Sequence, residues 1–187
     1  MTIRAICISG EPVLHNRAAE VENITPEVAE LIQDMYETMD KAPGVGLAAP
    51  QVGVGLRIFV YDYEYEGEQL RGVAINPTLE LGPIEEGLPD EDSEVEGCLS
   101  LPGERFPLKR AQWAKLKALD LEGVTYELEV EGWMARIFQH EFDHLEGLLY
   151  ADRLIKPYAE EMQEVVSEEG WGIPGLSWMP GVDYLEP

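Results

Sequence analysis

The sequence predicts an α+β fold: antiparallel β-sheets packed around a central helix over 133–146, with an N-terminal helix and a C-terminal tail. Three observations predict it. Two runs of alternating apolar and polar residues, 113–120 and 124–131, flank Gly123 and read as one long antiparallel hairpin. Val28, Leu31, Ile32, Met35 and Met39 recur at helical spacing, which makes an amphipathic helix. Long strands and helices fall in separate segments rather than in strict alternation. No internal repeat is visible, and 187 residues predict one domain over 1–187.

The first helix has Thr25 as N-cap and Pro26 as first helical residue, and Pro43-Gly44 ends it. Arg57 to Tyr63 is a strand by composition, and Val73 to Asn76 a shorter one closed by Pro77. Residues 80–96 carry eight acids and no base, which reads as a solvated loop; without EF-hand spacing it is no calcium site. In the hairpin, Ala114, Leu116 and Ala118 share a buried face with Val124, Tyr126, Leu128 and Val130. Lys115 and Lys117 then lie opposite the glutamates of the second strand, which favours the pairing. Trp133 to Glu146 is the central helix, stopped by Gly147 and, with Phe138, Phe142 and Leu145, mostly buried. Tyr158 to Glu169 is a short acidic helix, and the tail over 171–187 should be irregular.

Composition excludes several functions. Thirteen Lys+Arg against 37 Asp+Glu give a net charge of −24, which repels nucleic acid and anionic membranes, so direct DNA binding is not expected. Cys7 and Cys98 make no disulfide framework. Neither a signal-like apolar run nor a membrane span is present, so a cytoplasmic protein with reduced thiols is expected.

The chemistry centres on His140-Glu141-Phe142-Asp143-His144, a HExxH pattern. On a helix, i and i+4 lie one turn apart, so both imidazoles can reach one metal ion. Glu141 beside them can handle the protons of a water. The third ligand decides the class. A histidine six residues after His144 would mark one peptidase clan, but Tyr150 stands there. A downstream glutamate, Glu164, Glu168 or Glu169, would make a zinc peptidase. Cys98 offers a thiolate instead, and with two imidazoles leaves a position open for water. A lone cysteine is more often a small buried residue, which is the reading of Cys7. Gly44 to Gln51 holds two glycines and then small residues, which permits close backbone approach by a ligand.

These three segments occur together and in order, and with them the sequence resembles the peptide deformylase family. GVGLAAPQ at 44–51, EGCLS at 96–100 and HEFDH at 140–144 look like that family's signature motifs. The tail WGIPGLSWMP at 171–180 is similar to that of actinobacterial members. The resemblance implies removal of the formyl group from the formyl-methionine of new polypeptides. It implies Cys98, His140 and His144 as ligands of one divalent metal ion, iron(II) being the expected physiological metal and zinc, nickel and cobalt suiting the same donors. Glu141 is then the proton carrier, and the Gln51 side-chain amide and the Leu99 N–H are the protein's oxyanion donors. The extended N-formyl-Met peptide is expected to pair with backbone near Gly46 and Gly97. Its methionine side chain should enter a pocket near Val45, Trp133, Arg136 and Ile137. Arg136 stands where many relatives carry an apolar residue, and its stem is expected to line that pocket with the charge in solvent.

Some relatives dock on the ribosome through a basic C-terminal helix. Here 158–169 holds Glu160, Glu161, Glu164, Glu168 and Glu169 and no base, so a transient ribosome contact is left without a mode. Arg105, Lys109, Arg110, Lys115 and Lys117 read as a solvated or ion-paired face. Asp143 is rotated off the metal-facing stripe. Its expected partner is Arg110, or failing that Arg105, in a pair that ties the Cys98 segment to the ligand helix.

Overall fold

The hairpin over 113–131 forms one side of a five-stranded sheet. The computed structural model describes residues 2–186. Its elements are β1 (Ile6–Cys7), α1 (Pro26–Lys41), β2 (Gly46–Ala48), β3 (Ile58–Tyr65), β4 (Glu68–Leu81), β5 (Val95–Cys98), β6 (Leu101–Pro107), β7 (Trp113–Leu119), β8 (Thr125–Glu131), α2 (Gly132–Leu145), α3 (Tyr158–Glu168) and β9 (Ser177–Trp178). The sheet runs β2-β3-β4-β7-β8, antiparallel throughout. Two small sheets, β5-β6 and β1-β9, flank it.

Alternation along β3 explains how the sheet serves two cores. Ile58 and Val60 face α1 and pack with Leu31, Ile32, Met35 and Met39. Phe59 and Tyr61 face α2 and pack with Met134, Ala135 and Phe138. A strand buried on both faces reads as a continuous apolar run, which is why this one was legible. A third cluster joins Cys98, Leu101 and Phe106 of the β5-β6 sheet to Tyr150, Tyr158 and Met162. Thr25 caps α1 by accepting from Val28 N, as expected. Phe138 is fully buried and Phe142 half-buried beneath the Arg57 guanidinium, so α2 is the central helix.

Four expectations need correction. Pro77 does not close a strand: β4 runs on to Leu81 through a register shift between Ile75 and Thr78. The bulge tolerates a residue without an N–H, and the Asn76 side chain holds it by exchanging two hydrogen bonds with the Val21 backbone. Beyond Tyr63, β3 continues to a tight turn at Glu66-Gly67, both with positive φ, the mirror-image turn that suits twisted strands. Val124 is not on the buried face; it lies in the β7-β8 turn and is exposed. The tail is not wholly irregular, since Trp178 pairs with Ile6.

Among the described residues no helix is long and apolar enough to cross a membrane.

Candidate metal centre and its cleft

Helix α2 presents His140 and His144 one turn apart, with their Nε2 atoms 3.2 Å from each other. Cys98 ends β5, and its Sγ lies 3.4 Å from His144 Nε2. The three donor atoms fall within 4.8 Å of one another, and all three residues are buried. Bonds of ~2.0–2.1 Å to nitrogen and ~2.3 Å to sulfur at tetrahedral angles need edges of roughly 3.4 and 3.6 Å, close to what is found. His140 Nδ1 lies 2.7 Å from Glu96 Oε1 and donates to it, so His140 Nε2 carries a lone pair towards His144. Two facing lone pairs repel unless a cation lies between them; a proton on His140 fills that place when no metal is bound, and two imidazoles with a sulfur at these separations make a donor set that fits a divalent ion. Burial, with the charge of His140, keeps His144 well below its ordinary value and neutral, the form that ligates. Against burial, Cys98 and Glu96 raise His140 well above its ordinary value, which makes a stronger donor.

Glu164, Glu168 and Glu169 are all exposed on α3 or at its end. The third donor beside the imidazoles is the Cys98 sulfur, so the zinc-peptidase alternative with a downstream glutamate is overturned. Tyr150 packs instead, its ring stacked at 6.2 Å from that of His140.

A charged network lies behind the donors. Arg110 grips Glu96 with Nη2 at 2.6 Å and Nε at 3.1 Å, and Asp143 with Nη1 at 2.6 Å. The expected Asp143 pair therefore forms, and Arg153 adds two more bonds to the same carboxylate. Burial alone would raise the Glu96 carboxyl; Arg110 and the bonds from His140 and Arg110 outweigh it and hold it well below the usual carboxylate range. Glu96 and Arg110 thus correct two readings. Glu96 belongs to the acid run read as solvated but is 4% exposed; Arg110 belongs to the basic set read as a solvated or ion-paired face, and it is ion-paired but, at 5% exposed, lies inside rather than on a face. Glu96 has no role in the sequence reading. Its signal was position: two residues before Cys98 on one strand, it shares that residue's face.

Arg136 is a further correction. Its charge is not in solvent: Nη1 donates to Glu96 Oε2 at 3.0 Å and to Leu108 O at 2.7 Å, with the guanidinium over the Trp133 ring. A buried carboxylate was available to neutralise it, which spares the reach to water.

In front of the donors is a cleft lined by Val45, Gly46, Gly97, Trp133, Arg136 and Ile137, all six expected substrate residues. Trp133 and Val45 are half-exposed at its rim, while Ile137 is buried. Glu141 lies on the same cleft, and its Oε2 is buried without a hydrogen-bond partner among the described residues. Burial pushes its carboxyl up to about 7; a dication alongside would pull it down. A side chain at Gly46 would collide with that carboxylate, so only glycine lets β2 run so close. Gln51 Oε1 accepts from Ala48 N at 2.9 Å, which turns its amide NH₂ towards Cys98 Sγ at 3.7 Å and Ser100 Oγ at 3.4 Å. Leu99 also lines the cleft. Glu186, unforeseen from sequence, reaches the same cleft and pairs with Arg105 at 3.3 Å.

A family model described as polypeptide deformylase matches residues 3–160. A curated peptide deformylase of Mycolicibacterium paratuberculosis is 49% identical over 189 residues, covering 97% of this chain and 96% of that one. The crystal structure of peptide deformylase from Thermus thermophilus superposes with a TM-score of 0.77 at 41% identity, over 89% of this chain and 95% of that one. That of the enzyme from Ehrlichia chaffeensis in complex with actinonin gives 0.76 at 33% identity, over 90% and 99%.

Proposed function

The chain belongs to the polypeptide deformylase family and is a metal-dependent hydrolase, and from that premise we propose how its own residues perform deformylation. Cys98, His140 and His144 hold one divalent ion, physiologically iron(II), with zinc, nickel or cobalt able to take the same donors. When bound, that ion supplies a Lewis acid and lowers the pKa of water. Glu141 accepts the proton of the water that attacks the formyl carbon and returns it to the departing amine, giving formate and a free N-terminus. The Gln51 amide and the Leu99 N–H donate to the oxyanion that develops on the formyl oxygen.

The substrate is an N-formyl-Met peptide lying extended between Gly46 and Gly97. Its methionine side chain packs against Val45, Trp133 and Ile137, and against the stem of Arg136, whose charge Glu96 already balances. Actinonin, bound by the relative from Ehrlichia chaffeensis, is proposed to enter this cleft. A transient ribosome contact belongs to the same proposal, and the exposed acids of α3 keep that helix from being its RNA anchor. Processing of new polypeptides puts this work in the cytoplasm.

The observation that carries the proposal is the Cys98–His140–His144 donor triangle beside an unpartnered Glu141 oxygen. Metal analysis on anaerobically purified protein, with formate release from formyl-Met peptides, tests it. One equivalent of metal lost in Cys98→Ala, together with formate release, is the expected result. Full metal content in Cys98→Ala overturns the ligand set.

A further inference from the structure

We propose that Trp178 is a positioning residue for the metal site: its indole N–H holds the Leu99–Ser100 peptide plane so that the Ser100 amide donates to the Cys98 sulfur. The inference rests on the reading of Cys98 as a ligand. One amide carries both bonds. Trp178 Nε1 donates to the Leu99 carbonyl at 2.8 Å. The N–H of that same amide, Ser100 N, donates to Cys98 Sγ at 3.4 Å. A bond accepted at a carbonyl polarises the amide and strengthens its N–H as donor. The indole also stops the plane from rotating its N–H away from sulfur.

The grip is rigid. Trp178 is 3% exposed in the core shared with α1, and β9 pairs it to Ile6. Ser100 is fully buried, and Ser9 N donates to its carbonyl at 2.9 Å, which fixes the following peptide. The other N–H near the sulfur, from Gln51, is longer at 3.7 Å and belongs to a side chain that catalysis also needs. Hydrogen bonds to a metal ligand set its orientation and its donor strength. Trp178 lies beyond residue 160, where the match to the family model ends, so this support comes from the tail.

Two substitutions separate the hydrogen bond from the bulk. Trp178→Phe keeps most of the ring and deletes the donor. Trp178→His keeps an N–H at the corresponding ring position and loses bulk. The full chain is loaded with cobalt(II), and the sulfur-to-cobalt charge-transfer band is recorded with the cobalt dissociation constant and the melting midpoint. Losing the N–H···S bond raises electron density on sulfur, so Trp178→Phe should shift the band to longer wavelength, while the freed peptide plane leaves the sulfur less well oriented and should weaken cobalt binding about tenfold. Trp178→His should keep the parent band despite a lower midpoint. A second measurement needs no variant: in the cadmium-113 form, the Ser100 amide proton should show scalar coupling to the metal through the sulfur. An unshifted band in Trp178→Phe, equal shifts in both variants, or no coupling at Ser100 overturns the inference while leaving the ligand set intact. A parent chain with no charge-transfer band overturns the ligand set and this inference together.

Discussion

Helix α2 separates two buried environments that use the same residue type in opposite ways. Behind the donors, every carboxylate has a guanidinium: Glu96 meets Arg110 and Arg136, and Asp143 meets Arg110 and Arg153. In front, Glu141 is as buried as Glu96, and its Oε2 has no partner among the described residues. Arginines hold one acid charged, while burial raises the other to about 7, a value that a bound dication would draw down. The rear wall fixes the candidate ligands, and in the function proposed above the front wall does the chemistry. Neighbours, not residue type or burial, decide which task a buried glutamate performs.

The sharpest way to break this contrast is to exchange carboxylate for amide in front and to remove a guanidinium behind. Glu141→Gln should lower kcat by about 10²–10⁴-fold, because an amide cannot take the water's proton. Its metal content and melting midpoint should match the parent's, since no partner is lost. Normal turnover with metal bound would remove Glu141 from the mechanism. The rear wall should answer differently. Arg110→Met takes three short bonds from two buried carboxylates and leaves each with one guanidinium, Arg136 on Glu96 and Arg153 on Asp143, so stability in urea should fall by about 3–5 kcal/mol, with metal loss following. A variant as stable as the parent would show that water or Arg153 suffices.

Arg136→Leu sits between these cases. It removes one of the two arginines on Glu96 and lengthens the apolar wall of the cleft. Arg110 remains, so the loss should be about 1–3 kcal/mol. KM for formyl-Met peptides should change while metal content does not. An unchanged KM would place the methionine side chain elsewhere.

How much of this was legible depended on what each residue's neighbours in sequence revealed. The imidazoles were legible because a four-residue spacing on an apolar helix has one geometric meaning. The Asp143–Arg110 pair followed from a charge that had to be neutralised near the site. Glu96 was hidden by the seven other acids between 80 and 96, which swell the charge count around a member that the β5-β6 turn buries. Arg136 was misread because a long side chain can snorkel, and only the fold shows a nearer carboxylate. Strands such as β1, β2 and β9, two or three residues long, carry too few positions for a period to register. Trp178 was visible as part of a tail motif, but its bond to the Leu99 carbonyl joins residues 79 apart.

The smallest expected effect comes from the charges that were easiest to read. Lys115 and Lys117 both reach Glu127 across the hairpin, at 3.0 and 3.3 Å. These pairs repeat the chemistry of Arg110 and Glu96 without the burial, since all three side chains are well exposed. Water and salt screen them, and two flexible lysines lose entropy to hold one geometry. Hydrogen bonds from the lysines hold Glu127 below its ordinary value. A carboxylate depressed in the folded state stabilises the fold above its unfolded pKa, and that contribution is lost as pH falls through the lower folded value. Glu127→Gln should therefore leave the urea midpoint at neutral pH within replicate error. Any difference from the parent should shrink further in 1 M salt and vanish in acid below the carboxylate range. A large loss at neutral pH that survives salt would mean that the surface ladder behaves like the rear wall, and depth would no longer separate the two.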